Sequence, residues 1–315
     1  MNKPAPKIYR TTNWSSYNRA LINRGNISIW FDTKTQWYAQ SQDKHGRNQT
    51  YSDTAIQCCL MIKSLFRLSL RMVTGFVQSL IKLCGLNWTT PDYSTLYRRQ
   101  KHIDIAISYQ KSSGGLHLLV DSTGLKFLGE GEWKRKKHQP EYRRQWRKLH
   151  IGIDAKTLQI RAVQLTTNNV SDSQVLGDLL DQISLDEQID SVYTDGAYDT
   201  KQCRQVIADR QAHAVIPPRK NAKPWKDTKI SSLARNELLR TVNLAKQCFS
   251  GRTLWKKWSG YHRRSLVETK MHCIKLLGDK LSARNFNSQV NEIHARIAVL
   301  NKFTELGQPH TQVMP

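Results

Sequence analysis

Around residue 112 the hydrophobic period of the chain changes, and this change restricts the architectures open to it. Before the run Ser112-Ser113-Gly114-Gly115, apolar side chains recur every three to four residues, as they do on helices. After it they alternate or run together, as they do on strands. Ile56, Leu60, Met61 and Leu65 predict an amphipathic helix over residues 53–66. Met72, Phe76 and Leu80, with Val73, Val77 and Ile81 beside them, predict a second helix that stops at Gly85. Thr90-Pro91 reads as the cap and first turn of a third.

Beyond the boundary, LHLLVDS (116–122), KLHIGID (148–154), LQIRAVQLTT (158–167), IDSVYTD (189–195) and AHAVIPP (212–218) read as strands. Ser171-x-x-Gln174 and Asp199-x-x-Gln202 read as capping boxes opening the helices between the later strands. Three strands followed by alternating helix and strand predict an α/β domain whose mixed sheet is flanked by helices. The expected organisation is a helical region over 1–112, an α/β domain over 113–305 with a basic insertion at about 219–259, and a tail at 306–315. The insertion has helical composition and little strand pattern.

The third predicted helix has Leu96 as its core anchor and otherwise carries Tyr93, Ser94, Tyr97, Arg98, Arg99 and Lys101. Three short helices with a basic last one match a helix-turn-helix. They match equally a small bundle with a solvated face. Charge favours the former: 49 Lys and Arg stand against 25 Asp and Glu, a net +24 that repels itself unless a polyanion screens it. DNA is the expected partner, with Tyr93, Arg98, Arg99 and Lys101 as candidate contacts. A second basic run, GEWKRKKHQPEYRRQWRKLH (131–150), sets Lys134, Arg135, Arg143 and Arg144 among aromatics and is a further candidate DNA contact.

A membrane surface is the competing polyanion. No stretch approaches about 18 consecutive apolar residues, however, and Lys63, Arg67, Arg71 and Lys82 interrupt the most apolar region. MNKPAPKIYR lacks the apolar core of a secretory signal, so a cytoplasmic location is expected. Six cysteines form no C-x-x-C pair and ten histidines no ligand cluster, so a metal here would need carboxylates.

Two such carboxylates end apolar strands. Asp121 closes LLVD and Asp195 closes VYTD, and each alone suits a turn. Together they would occupy the crevice at the strand ends of an open α/β sheet, where hard oxygen donors select Mg2+ or Mn2+. A third, Glu268, lies in GYHRRSLVETKMHCIKLLGDK (260–280) among basic residues. On a wheel of about 100° per residue, Tyr261, Arg264, Glu268 and Lys275 share a stripe roughly 60° wide. Val267, Met271 and Ile274 form the apolar stripe beside it. An i, i+4 ion pair accounts for Arg264 and Glu268. Tyr261 and Lys275 are further candidate phosphate partners.

The spacing Tyr261-x2-Arg264-x3-Glu268-x6-Lys275, preceded by VDSTGLK and YTDGAYD, resembles the signature of DDE transposases of bacterial insertion sequences. Its organisation is most similar to their insertion sequence five group, over about residues 50–300. The resemblance implies a ribonuclease-H-like catalytic domain in which Asp121, Asp195 and Glu268 hold two Mg2+ (or Mn2+) ions. It implies that Tyr261, Arg264 and Lys275 contact phosphates near a transposon end. The implied partners are double-stranded DNA, as transposon ends and as target, and at least one further copy of the chain at synapsis. The implied reaction cleaves inverted-repeat ends and joins their 3′-hydroxyls to target DNA, in a bacterial, nucleoid-associated setting. Two rival readings are a metal-dependent nuclease without strand transfer and a non-catalytic DNA-binding repressor.

Overall fold

The computed structural model of the chain describes residues 9–41, 48–129, 137, 145–219, 221–244 and 251–314. Two compact units divide it, one made of residues 1–108 with 294–315 and the other of residues 109–293. The change of period at 112 thus lies just past the boundary at Ser108.

The first unit contains β1 (Tyr9–Thr11), α1 (Trp14–Arg24), α2 (Ile27–Trp30), α3 (Asp53–Phe66), α4 (Leu70–Leu83) and α5 (Tyr93–Gln100). Ser52 starts α3 by accepting the Ala55 N–H, and Ser69 starts α4 by accepting that of Met72, so an orphan donor is satisfied at each end. The third helix is capped by Asp92, whose carboxylate accepts the Ser94 N–H at 3.0 Å, and not by the expected Thr90-Pro91. Gly85 ends the second helical stretch in the left-handed region, at φ 64°, as its lack of a Cβ allows. The buried face of α4 is Val73, Val77, Leu80 and Ile81, and the expected Met72 points outward. These residues pack with Ile56, Leu60, Leu96, Ile103 and Trp37 into one apolar core.

In the second unit lie β2 (Leu116–Phe127), β3 (Arg147–Asp154), β4 (Ile160–Thr167), α6 (Asp172–Asp181), β5 (Ile189–Tyr193), α7 (Lys201–Asp209) and β6 (His213–Val215). The segment expected as a basic insertion contains the helices α8 (Ile230–Leu244) and α9 (Gly251–Trp258), followed by α10 (Ser265–Leu276) and β7 (Lys280–Leu281). Helix α11 (Phe286–Leu306) starts in this unit and ends in the first. Beyond it, within the segment expected as a tail, β8 (Thr311–Val313) pairs antiparallel with β1.

The sheet runs β4-β3-β2-β5-β6, with β7 added beside the far end of β2. An antiparallel meander β2-β3-β4 is extended by β5 and β6, both parallel to the central β2, which is the ribonuclease-H-like arrangement. Leu116, Leu118 and Val120 of β2 pack against Val175, Leu176 and Leu179 of α6 and Cys203 and Ile207 of α7. Helix α10 lies against β2, anchored by buried Val267, Met271 and Ile274. No helix among the described residues is long and apolar enough to cross a membrane.

Candidate active site

The central strand does not end at Asp121. Its pairing with β3 continues to Leu125, so the aspartate is interior to β2. What ends there is the other neighbour. Strand β5 pairs with β2 as far as Leu119 with Tyr193, and Asp121 and Asp195 each lie two residues past that last pair. The chain leaves β5 through Asp195, which caps a single 3-10 turn over Gly196–Tyr198 by accepting the Ala197 N–H at 2.9 Å. Thus the turn role and the strand-end role belong to one residue.

Asp121 is half-buried, and that burial raises its carboxyl above the ordinary range, with the nearby charge of Asp195 adding to the rise. Against this work the Ser122 N–H, 2.8 Å from Oδ1, and the Arg264 guanidinium. Arg264 donates through Nη1 to Asp121 Oδ2 and through Nη2 to Glu268 Oε1, the latter at 2.8 Å. One cation therefore bridges two carboxylates that the sequence sets far apart. Burial acts against the Arg264 charge, but Asp121, Tyr261 and Glu268 hold its pKa above the usual value.

Gly260 carries the chain into this region with φ 65°, and Tyr261–Arg264 forms a 3-10 turn before α10 begins at Ser265. The single-helix wheel therefore applies from Ser265 onward, and Tyr261 and Arg264 are set by the tighter turn. Tyr261 is buried, its ring 5.6 Å from that of Trp255, with the Arg264 and Lys256 charges 5.8 and 5.3 Å from its centroid. Burial pushes its phenol upward, so the hydroxyl keeps its proton. At the other end of α10, Lys275 Nζ donates to Thr123 Oγ1 on β2 at 2.8 Å. Glu268 is exposed in the first turn of α10, where the helix dipole favours an anion.

Several residues around this group give no local signal in the sequence. Ser122, beside Asp121, donates to Asp172 Oδ1 at 2.8 Å, and Lys148 Nζ lies 2.7 Å from the same oxygen. Lys148 and Ser122 hold the Asp172 carboxyl below the usual range although burial opposes them. Buried His150 shares Thr166 Oγ1 at 3.0 Å and lies 3.6 Å from Asp172, and burial lowers its pKa to about 4. Lys148 and His150 stand at i, i+2 on one face of β3, a polar alternation against Leu149 and Ile151 that could have marked this face. Tyr198 is wholly buried, and its hydroxyl has no hydrogen-bond partner among the described residues.

Asp199 is not the helix cap that its spacing to Gln202 suggested. Thr200 caps α7, and the Asp199 carboxylate is buried between Arg204 Nε at 2.9 Å and Arg235 Nη2 at 3.1 Å. Arg219 donates to the Gly196 and Ala197 carbonyls, at 3.3 and 3.1 Å. The turn that carries Asp195 is thereby tied to α7 and to α8.

The fit to a metal rests on chemistry and not on a formed cage. Among the described residues no three His, Cys, Asp or Glu side chains are gathered as a ligand set. Asp121 and Glu268 nevertheless converge on one cation, Arg264, with Asp195 level with Asp121. All three are hard carboxylate donors, the kind that suits a divalent ion of the magnesium type.

The helical unit presents its candidate DNA residues unequally. Tyr93, Arg98 and Lys101 are exposed, Tyr93 with the Arg71 guanidinium 4.4 Å from its ring. Arg99 is instead tucked in, donating to the Tyr51 carbonyl at 2.8 Å and pairing with Asp53. It holds α5 to the start of α3, which removes its guanidinium from the exposed face. Lys134, Arg135, Arg143 and Arg144 lie outside the described residues.

Residues 112–302 match a family model described as a transposase DDE domain, and residues 22–130 match a second model with the same description.

Proposed function

This chain belongs to the transposase DDE-domain family, and we propose that it binds the terminal inverted repeats of an insertion sequence, hydrolyses the strands at their ends and joins the freed 3′-hydroxyls to target DNA. The reading is carried by the convergence of Asp121 and Glu268 on a single cation, with Asp195 level with Asp121 just past the end of the neighbouring strand. In it Asp121, Asp195 and Glu268 hold Mg2+ or Mn2+, in keeping with the divalent-metal dependence general to such domains. Divalent ions held by these carboxylates would supply polarisation of the scissile phosphate, activation of the attacking oxygen and stabilisation of the leaving one.

The chain's own part is to position. Arg264 and Lys275, near the two ends of α10, bracket Glu268 and suit phosphates of a DNA end, with Tyr261 packed beneath Arg264. Tyr93, Arg98 and Lys101 supply an exposed polar and basic helix face in the first unit for sequence reading. The net charge of +24 draws a polyanion to the molecule as a whole. Joining two ends to one target needs both held together, so the active form contains at least two copies.

The test is an assay with labelled end DNA, a supercoiled target and Mg2+. Joined product is expected. Cleavage without joining would leave a nuclease, and duplex binding without cleavage a repressor.

A further inference from the structure

We propose that Arg264 is a resident cation of the carboxylate site, a latch that occupies Asp121 and Glu268 until DNA phosphate draws its guanidinium away and opens the pair to divalent ions. This deepens the reading above and rests on its assignment of the three carboxylates. Both terminal nitrogens of the guanidinium are engaged, Nη1 on Asp121 and Nη2 on Glu268. The Arg264 and Asp121 side chains are 18% and 16% exposed, so that ion pair is largely withdrawn from solvent, whereas Glu268 remains exposed.

Without a counter-charge, Asp121 is poorly placed. It is half-buried and feels the like charge of Asp195. A withdrawn carboxylate left unpaired is costly, and Arg264 supplies the missing charge from within the chain. A guanidinium and a divalent ion cannot both use the same carboxylate oxygens, and their like charges repel at such range. With Arg264 on Asp121 Oδ2 and Glu268 Oε1, and the Ser122 N–H on Asp121 Oδ1, divalent ions are held well only after Arg264 moves.

The arginine has somewhere to go. It stands on the 3-10 turn before α10, and Lys257, His262 and Arg263 are exposed close to it in the chain, a basic surface that brings phosphate to the turn. A phosphate accepts the planar fork in two parallel hydrogen bonds, as a carboxylate does. Its link to Glu268 is local, four residues along, whereas its link to Asp121 depends on the packing of α10 on β2. Movement of one side chain thus frees two ligands at once. The consequence is that metal and DNA bind with positive coupling, and the chain without DNA is a poor metal binder and a poor nuclease. Coupling of this kind is reciprocal, so metal tightens DNA binding by the same factor.

The test measures Mn2+ binding to the full chain, from the resonance of the free aquo ion, with and without a duplex carrying the terminal repeat. Binding by the duplex alone is subtracted. For the parent, the duplex should raise Mn2+ affinity on the order of tenfold or more. R264Q should bind Mn2+ at the tighter level without DNA and gain little from the duplex. R264K, which keeps the charge but loses the fork, should fall between. If R264Q binds Mn2+ no tighter than the parent, or if the duplex leaves the parent unchanged, the latch is overturned. Should R264Q fail to fold by its melting curve, the parent's duplex affinity with and without Mn2+ decides, because an absent linkage overturns the proposal. D121N and E268Q separate the two levels. If both leave Mn2+ affinity intact, the carboxylate assignment itself fails and the latch with it; if they abolish binding while R264Q is inert, only the latch fails.

Discussion

Asp121 and Asp195 stand at one level of two neighbouring parallel strands, each two residues past the final pairing of Leu119 with Tyr193. Because β5 ends there while β2 continues beside β3, the space next to Asp121 is left to side chains and to the turn that follows Asp195. That is where α10 brings Glu268, through Arg264, which pairs with both Asp121 and Glu268.

Asp121→Asn, Asp195→Asn and Glu268→Gln should each lower cleavage of end DNA by about a hundredfold or more, the scale of losing one group that stabilises developing charge. Gel-shift affinity for the same DNA, measured without divalent ions, should stay within a few-fold. Parental cleavage in any one of them would remove that residue from the site.

Lys275→Ala should weaken end binding and reduce the salt slope of log K by about one, as expected for one phosphate contact. The alternative is that Lys275 serves only to hold Thr123, its partner at 2.8 Å. In that case affinity falls with the slope unchanged.

Arg98 and Arg99 are neighbours with opposite expected phenotypes. Arg98→Ala removes an exposed charge and should weaken DNA binding with the melting temperature unmoved. Arg99→Ala breaks the ties to Tyr51 and Asp53 and should cost about 1–3 kcal/mol of stability, measured by denaturant titration. Equal stability losses would contradict this division.

Asp199→Ala leaves Arg204 and Arg235, 4% and 3% exposed, without their shared carboxylate. Removing one partner of a buried ionic group typically costs about 3–5 kcal/mol. Denaturation should show a loss of this size, and cleavage by the folded fraction should fall as well because the Asp195 turn loses its anchor. A stability change below about 1 kcal/mol would show the triad to be dispensable.

Stability should fall on mild acidification, with His150 responsible. Its folded pKa of about 4 lies below the ordinary 6.5, so as pH falls the unfolded chain takes up the proton first. The stability it contributes is intact above about pH 6.5 and is lost as pH falls towards 4, to a total of about 3 kcal/mol. The charged groups facing it are Asp172 and Lys148. His150→Gln should flatten this part of the stability–pH profile; an unchanged fall would assign it to other groups.

The sequence by itself determined what depends on near neighbours. The switch of period around residue 112, the capping box Ser171-x-x-Gln174, the left-handed stop at Gly85 and the Arg264–Glu268 pair are all set by residues within a turn or two of one another. Tertiary structure decided what depends on which strands adjoin and which groups lose water. It moved the third helix's cap to Asp92, set Asp121 within a strand, buried Asp199 between two arginines and Arg99 against α3, and gave Arg264 a second carboxylate. A polar side chain pairs with whatever opposite charge is withdrawn from solvent beside it, and that partner is fixed by packing between segments distant in the chain, which local spacing does not encode.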